Sequence, residues 1–330
     1  MILIKLQRII VTWAPLAFII RQSKKIYPPG FDGIALYDVI VFLLKQVKTH
    51  GITERASAIS YNFVMALPPS LLFLFTLVPN LPFVSKQKIT IELHSFIYDI
   101  IPAPTYNREV IKFIDSFIDN SRFGLLSFGL LLSLFFASNA VMGLMRAFNK
   151  NYIGFEKRNG LKDRLVAVRL TVIILSLLLG YLILLIMQGA VLDLLVSNPT
   201  WRVIVSYARW LLMILLIFLA IGYIFKYAPS VKKRWKIRSP GAIVATFLSI
   251  VSTLGFSYFV SSFGKYNALY GSIGTIMMVM ALIYINSLVL LIGFELNVSI
   301  RILKVQALHR AETEAVTSAA ASSSEALPLK

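Results

Sequence analysis

The stretch IGTIMMVMALIYINSLVLLIGFELN, residues 273–297, decides the fold class of this chain. Its only charged residue is Glu295, and the next charge along the chain is Arg301. About 20 mostly apolar residues are enough for an α-helix to cross a hydrocarbon core of about 30 Å. The stretch therefore predicts a membrane-spanning helix that carries one carboxylate close to its end.

The composition of the whole chain agrees with a membrane protein. Of its 330 residues, 58% are hydrophobic and 15% are charged, whereas soluble domains have about 45–50% apolar and about 25% charged residues. Because apolar windows of spanning length recur along the chain, we predict an all-α, polytopic membrane protein with six transmembrane helices. The windows are residues 56–78, 124–148, 165–192, 203–227, 240–262 and 273–297.

Lysine and arginine are concentrated in alternate connections between these windows. They occupy the segment before the first window, the connection at residues 149–164 and the connection KYAPSVKKRWKIRSP at residues 226–240. Short cytoplasmic connections of membrane proteins are enriched in Lys and Arg, so the pattern predicts that both termini are cytoplasmic. It also accounts for the formal net charge of +18 without nucleic acid as a partner. The expected partners are membrane lipids and an unknown small solute or lipid.

The chain divides into three predicted regions. Residues 1–53 hold two apolar stretches, 9–20 and 34–47, which we interpret as interfacial helices; a seventh span at the first of them is the alternative. Residues 54–300 form the transmembrane domain, and its external loop at 79–123 has the apolar spacing of two amphipathic helices. Residues 301–330 end in a Ser- and Ala-rich segment that predicts a disordered cytoplasmic tail.

Two kinds of irregularity interrupt the apolar windows. Pro68 and Pro69 lie near the middle of the first window and remove two backbone donors, so we expect that helix to kink or break. Broken helices at the membrane midplane are a feature of transporters. Amide side chains are predicted either to hydrogen-bond between helices or to line a polar path, and these are Asn139, Asn149, Asn286 and Asn297.

Charged residues from four windows are predicted to lie at one depth on the cytoplasmic side: Glu54, Arg55, Arg146, Arg169 and Glu295. A carboxylate near the hydrocarbon boundary is costly unless it is paired, and arginine offers a planar, two-pronged partner. We therefore predict that Glu295 pairs with Arg55, Arg146 or Arg169. The pair is either a clasp that locks helix ends or a gate coupled to an ion or a proton.

Several segments between about Glu54 and Asn297 resemble the YihY/BrkB family of bacterial inner-membrane proteins. The most specific are YGSIG at residues 270–274 and the pattern G-x-E-x-N of Gly293, Glu295 and Asn297. LMRAFN at residues 144–149 and PGA at residues 240–242 also match. The family-like residues that we place in an external loop before the sixth window are Tyr266, Asn267, Tyr270, Gly271 and Gly274.

The resemblance implies a multi-pass protein of the bacterial inner membrane with six spans and a transport function, and an older ribonuclease label also attaches to this family. The residues give catalysis no support. The three histidines, His50, His94 and His309, fall in different regions, and the cytoplasmic connections contain neither paired carboxylates nor a glycine-rich phosphate motif. We expect no catalytic residue, metal, cofactor or ATP hydrolysis. The predicted function is transport of an amphipathic or anionic solute or lipid of the cell envelope. The alternative is a non-catalytic membrane scaffold or interaction protein.

Overall fold

The computed structural model of the chain describes residues 14–49, 51–77, 91, 94, 111–112, 115, 123–149, 160–186, 199–231, 234–262 and 265–325. Within these ranges the regular elements are α-helices, and none of the described residues belongs to a β-strand. The helices, numbered along the chain, are α1 (Ala14–Ser23), α2 (Leu36–Thr49), α3 (Ile52–Leu77), α4 (Phe123–Phe148), α5 (Gly160–Ile186), α6 (Pro199–Tyr227), α7 (Pro240–Ser262) and α8 (Lys265–Glu325). The predicted all-α fold class is confirmed.

Five segments of these helices are long and apolar enough to cross a membrane, counted over the described residues. They correspond to the second to sixth predicted windows and are Leu130–Phe148, Gly160–Leu184, Val203–Tyr227, Pro240–Val260 and Ile276–Thr317. The first predicted window coincides with α3, whose side chains are described only as far as residue 70. A polytopic helical protein is confirmed, and the count of six spans stays a prediction.

The predicted interfacial helices coincide with α1 and α2, although their position at the membrane surface stays a prediction. Residues 1–13, on which the seventh-span alternative depends, lie outside the described residues. Most of the external loop at 79–123 lies outside them as well. Its described residues include His94 and Asp115, one from each predicted amphipathic helix, and the imidazole Nε2 lies 2.7 Å from the carboxylate Oδ1.

The expected break at the two prolines of α3 is wrong, because the helix continues through Pro68 and Pro69 to Leu77. A proline inside a helix removes one hydrogen bond to the carbonyl four residues earlier. Here the carbonyls of Val64 and Met65 lose those partners, while the bonds on either side keep the chain helical. The prolines therefore remove two backbone hydrogen bonds from α3 without dividing the helix.

The two predicted irregular segments around α8 are also corrected. Residues 301–325 are helical rather than disordered, since α8 runs without interruption from Lys265 to Glu325. Alanine and glutamate are strong helix formers, and repeated alanines in AETEAVTSAAASSSE continue the helix beyond its apolar part. The segment expected to be an external loop, from residue 265 to residue 274, is the first part of the same helix. Its two glycines each lower the helix propensity by about 1 kcal/mol relative to alanine, but they do not interrupt the helix.

The chain forms two compact units. The larger unit comprises Thr53–Ile237 and Ala245–Leu291, and the smaller unit comprises Met1–Ile52, Arg238–Val244 and Ile292–Lys330, each taken over its described residues. In the larger unit α4 packs against α5, and α5 packs against α6. In the smaller unit α1 packs against α2. The predicted boundaries at residues 53 and 300 stay predictions.

Within the larger unit, α3 and α4 run antiparallel. Near the start of α3 the Arg55 Nε donates to the carbonyl of Ala147 at 2.9 Å, and further along α3 the Ser70 hydroxyl lies 3.5 Å from that of Ser133. Residue numbers that rise along α3 therefore fall along α4. Between these contacts a Cβ atom on Gly143 would lie 2.6 Å from an Asn62 side-chain nitrogen, so the absence of a side chain at Gly143 permits the close approach.

In the smaller unit the start of α7 is capped by the residue before it and by a residue of α8. The Ser239 hydroxyl accepts a hydrogen bond from the backbone N–H of Ala242 at 3.4 Å, and Pro240 occupies the first helical position, which needs no donor. The Asn297 Oδ1 accepts from the backbone N–H of Gly241 at 2.9 Å, and its Nδ2 donates to Ser239 Oγ at 3.0 Å. This arrangement explains the PGA segment and the asparagine of G-x-E-x-N.

The same contact depends on the absence of a side chain at Gly241. A Cβ atom there would lie 2.0 Å from the carbonyl oxygen of Gly293. Substitution Gly241→Ala is therefore expected to lower the free energy of unfolding by at least about 1–3 kcal/mol, because backbone atoms would have to move apart. Thermal unfolding of the purified protein in detergent measures the effect.

Gly255 provides the matched control, since it lies on the same helix and has no heavy atom within 4 Å of an added Cβ. Gly255→Ala is expected to be neutral or to stabilise the protein by up to about 1 kcal/mol through higher helix propensity. Equal unfolding temperatures for the two variants would contradict the close packing of Gly241 against Gly293.

Candidate functional site

The asparagine on the middle of α4, Asn139, accepts a hydrogen bond from the guanidinium of Arg164 on α5. The same guanidinium lies 3.4 Å from the Met142 sulfur and 4.9 Å from the ring centroid of Phe135. Because these three α4 residues share one helix face, they form a cradle for Arg164. Asn139 therefore connects α4 to α5 through Arg164, which the sequence analysis treated only as one of the charges in the connection at residues 149–164.

The other predicted amide residues are hydrogen-bonded to neighbouring segments of their own units. Asn149 Oδ1 accepts from the backbone N–H of Ser230 at 2.8 Å. Asn286 is hydrogen-bonded to Ser249 of α7 and donates to the carbonyl of Leu282 at 3.1 Å. Asn297 of α8 binds the first turn of α7. These contacts favour helix packing over a polar path as the role of the four asparagines.

The predicted charge cluster contains two buried and three exposed members. Glu295 is fully buried and Arg55 is 5% exposed, whereas Glu54, Arg146 and Arg169 are exposed. Glu54 accepts a hydrogen bond from the neighbouring Thr53 hydroxyl at 3.2 Å. The pairing of Glu295 with Arg55, Arg146 or Arg169 stays a prediction.

A cation-rich pocket lies where α5 meets the end of α6 and the connection that follows it. Tyr227 stacks on Tyr223, with ring centroids 6.0 Å apart. Three cations surround the Tyr227 ring, at 5.8 Å from its centroid for Arg169, 5.2 Å for Lys226 and 5.3 Å for Arg234. We call the adjoining cavity of about 40 Å³ the Tyr227 pocket, and its lining residues are Val166, Arg169, Leu170, Ile173, Tyr227 and Arg234.

The sequence analysis recognised Arg169 but missed Tyr227 and Arg234 as members of a site. The signal is present in YIFKYAPSVKKRW, residues 223–235, where an aromatic residue is surrounded by basic ones. Cations placed over the face of an aromatic ring are attracted by its quadrupole. Tyrosines among the basic residues of this connection are therefore the sequence signal for the pocket.

A larger cavity of about 220 Å³ lies between α3, α4 and α5. We call it the α3–α5 cavity. Its lining residues are Phe63, Ala66, Leu67, Ser70, Ser133, Ala137, Ala140, Val141, Thr171, Ile174, Leu175, Leu178 and Leu179. Among the described lining residues the polar groups are three hydroxyls, and one of them, Thr171 Oγ1, donates to the carbonyl of Ala167 at 2.7 Å. The cavity therefore suits an apolar occupant.

Two groups of predicted residues give less information. Tyr266, Asn267, Tyr270 and Gly271 lie on the first turns of α8, but their side chains lie outside the described residues, whereas Gly274 is buried. Among the described residues there is no group of three or more His, Cys, Asp or Glu side chains that could hold a metal ion.

Comparison with known proteins gives one family. The profile described as "Virulence factor BrkB" matches residues 43–317. The ribonuclease-like protein YfkH of Bacillus subtilis is 27% identical over 259 residues, which are 77% of this chain and 92% of that protein. A UPF0761 membrane protein of Actinobacillus pleuropneumoniae is 27% identical over 260 residues, 77% of this chain and 90% of the relative.

A longer relative is the UPF0761 membrane protein of Rhodospirillum centenum. It is 29% identical over 250 residues, which are 74% of this chain and 53% of that protein. The chain therefore covers about half the length of this relative. No solved structure matches the chain significantly.

The predicted pairing of Glu295 can be measured with double-mutant cycles. Glu295→Gln is combined in turn with Arg55→Met, Arg146→Met and Arg169→Met, and unfolding is followed in detergent. Breaking a buried ion pair costs about 3–5 kcal/mol, because one charge stays buried without its partner. One cycle is expected to show strong coupling, with the double variant more stable than the sum of the single effects predicts.

The two remaining arginines serve as controls within the same experiment, since their combinations with Glu295→Gln are expected to be additive. Additive effects in all three cycles would reject the pairing. A stable double variant that has also lost its biological activity would favour the gate over the clasp.

Proposed function

The chain belongs to the BrkB family of membrane proteins, and from that premise we propose that it transports an amphipathic or anionic solute or lipid of the cell envelope. It would act in the bacterial inner membrane as a multi-pass protein with both termini in the cytoplasm. Transport would not depend on ATP hydrolysis by the chain itself. One observation carries the proposal, the α3–α5 cavity between three helices.

The apolar lining of this cavity favours apolar over strongly hydrated solutes. Most of its wall consists of alanine, leucine, isoleucine, valine and phenylalanine side chains. A sugar or another strongly hydrated solute would lose its hydrogen bonds to water on entering and would regain few of them. A hydrocarbon tail gains from burial against the same wall. The cavity therefore supports an amphipathic molecule or a lipid rather than a small polar solute.

The size of the cavity adds a second restriction. An apolar cavity of about 150 Å³ is enough to hold a benzene molecule, and the α3–α5 cavity has about 220 Å³. It would hold a short part of a hydrocarbon chain and not a whole lipid. An amphipathic substrate would therefore place its tail between these helices while its polar end stays outside the cavity.

The two prolines of α3 lie on the stretch of the helix whose other residues line this cavity. Ala66, Leu67 and Ser70 line it, and Pro68 and Pro69 fall between them in the sequence. The two missing backbone hydrogen bonds make this part of α3 easier to bend than an uninterrupted helix. Bending of α3 would change the width of the cavity, which supports its use as a path.

A non-catalytic scaffold is the second candidate, and a different observation favours it. Asparagines on α4 and α8 are engaged in hydrogen bonds that hold helices together, and Gly143 and Gly241 permit close helix contacts. Small residues and interhelical amides are typical of tight membrane bundles. A scaffold would need these contacts but would not need the α3–α5 cavity.

We propose a non-catalytic protein in both cases. The ribonuclease-like description belongs to the Bacillus relative, and hydrolysis of RNA commonly relies on a metal site or on paired acid and base groups. The basic connections of this chain would attract anionic lipid as readily as RNA. We therefore expect membrane lipids and the transported molecule, and not nucleic acid, as partners.

Transport can be tested in proteoliposomes that contain fluorescent NBD-labelled phosphatidylglycerol. Dithionite bleaches the label only in the outer leaflet, so protein-dependent movement of the lipid increases the bleached fraction. Ala137→Phe places a ring in the α3–α5 cavity and is expected to slow this movement several-fold. Stability should be maintained, because the ring occupies existing space.

Ala208→Phe is the matched control, since Ala208 is exposed on α6 and does not line the cavity. This variant is expected to move the lipid at the wild-type rate. Equal rates for the two variants would remove the cavity from the transport path. Absence of lipid movement with the wild-type protein would reject lipid transport and favour the scaffold.

A further inference from the structure

The Tyr227 pocket has features that neither packing nor orientation explains, and we propose that it is a binding site for a phosphate oxyanion, as carried by the headgroup of an anionic phospholipid. The proposal concerns binding alone and does not require the protein to transport anything. It depends on the charge, position and lining of the pocket, which are independent of the α3–α5 cavity.

Two guanidinium groups converge on this pocket. Arg169 and Arg234 both line it, and both guanidinium carbons lie within 5.8 Å of the centroid of one tyrosine ring. They are therefore no more than about 12 Å apart, which is close to the screening length of about 10 Å at an ionic strength of 0.1 M. Their mutual repulsion is incompletely screened, and Lys226 adds a third positive charge at 5.2 Å from the same centroid.

Contacts with the tyrosine ring offset only part of this repulsion. A cation–π contact at an exposed site is weak, and both arginines are exposed. Within the described part of the chain, no aspartate or glutamate lines the pocket. A bound anion would neutralise the convergent charges, and a phosphate group has enough oxygens to accept two-pronged hydrogen bonds from both guanidinium groups.

The position of Arg169 points to a ligand at the membrane. Arg169 lies inside the candidate span Gly160–Leu184 rather than in the connection before it. Nine residues of helix place it about 14 Å from the first residue of α5. Charged side chains within spans are costly and usually extend toward the polar interface or bind a ligand. An anionic headgroup at this depth would neutralise the charge of Arg169 and would be its ligand.

The apolar side of the pocket distinguishes a lipid from a free ion. Val166, Leu170 and Ile173 line the pocket together with Arg169, and their spacing places all four on one face of α5. If a lipid headgroup binds the arginines, the first carbons of its hydrocarbon chains would lie beside these apolar residues. Basic pockets between helices on the cytoplasmic side are known to bind anionic headgroups, and the predicted orientation places this pocket on that side.

The proposal is tested by native mass spectrometry of the detergent-purified protein, titrated with dioleoyl phosphatidylglycerol. The wild-type protein should retain the lipid, and Arg169→Gln/Arg234→Gln should weaken its retention at least about tenfold, since one hydrogen bond to a charged group is worth about that factor. Lys162→Gln/Lys236→Gln is the matched control. It removes the same charge from exposed residues of the same unit that do not line the pocket.

Competition with inorganic phosphate separates the two sources of the oxyanion. If millimolar phosphate displaces the lipid from the wild-type protein, the pocket recognises the phosphate group itself. If phosphate fails to compete while the arginine variant loses the lipid, the apolar side of the pocket contributes and the ligand is the lipid. Either result supports the site. Retention of phosphatidylcholine at the same level, lost in the same variant, would extend the site to all phosphate diesters.

Three results would overturn the proposal: no binding of either ligand by the wild-type protein, unchanged lipid retention in the arginine variant, or equal losses in the arginine and lysine variants. If the glutamine variant does not fold, Arg169→Lys/Arg234→Lys replaces it. Lysine keeps the charge but lacks the two-pronged geometry. Weakened retention is expected, and unchanged retention would reject the site.

Discussion

Polar groups in a hydrocarbon environment must find their partners inside the protein, and this constraint accounts for most of the specific contacts of the chain. The start of α7 shows it most clearly. The backbone donors of Gly241 and Ala242 are taken by Asn297 and by Ser239, and the two side chains are hydrogen-bonded to each other. A helix begins here without exposed donors because a neighbouring helix supplies the second cap.

The same constraint separates residues that build the protein from residues available for a ligand. Asn139, Asn149, Asn286 and Asn297 are polar and lie in or beside apolar helices, and each uses its amide for a contact within its own unit. These contacts leave such side chains little capacity to guide a solute. The Tyr227 pocket differs, since convergent cations there are held against one ring and none of the described residues that line the cavity is acidic. A polar side chain alone therefore does not indicate a ligand-binding site, whereas an excess of positive charge around a cavity does.

The elements that the sequence predicted well are those that depend on composition over a long window. Five candidate spans among the described residues agree with the apolar windows because the length and hydropathy of a span are set by the membrane. The errors concern local signals that surrounding helix overrides. Pro68 and Pro69 do not divide α3, and the predicted loop before residue 274 and the tail after residue 301 both belong to α8.

The candidate site was less predictable than the fold. Arg169 was recognised from its position near the start of the third apolar window. Tyr227 and Arg234, which share its pocket, come from the end of α6 and the connection after it, more than fifty residues further along the chain. Windowed hydropathy carries no information about such distant contacts. The residues of G-x-E-x-N and PGA could be selected from the sequence. The sequence does not show that Asn297 of one helix caps the start of another at Gly241, which is the role of these two residues.

Helix α5 borders the Tyr227 pocket and the α3–α5 cavity, and its geometry restricts how they can act together. Leu170 and Ile173 face the Tyr227 pocket, while Thr171, Ile174 and Leu178 face the α3–α5 cavity. At about 100° per residue these two sets lie on adjacent faces of the helix, with their mean directions about 100° apart. The two cavities have different lining residues, so a headgroup among the arginines does not by itself fill the α3–α5 cavity. A headgroup in the Tyr227 pocket would influence the cavity by moving α5, so the two cavities are separate sites joined by one helix.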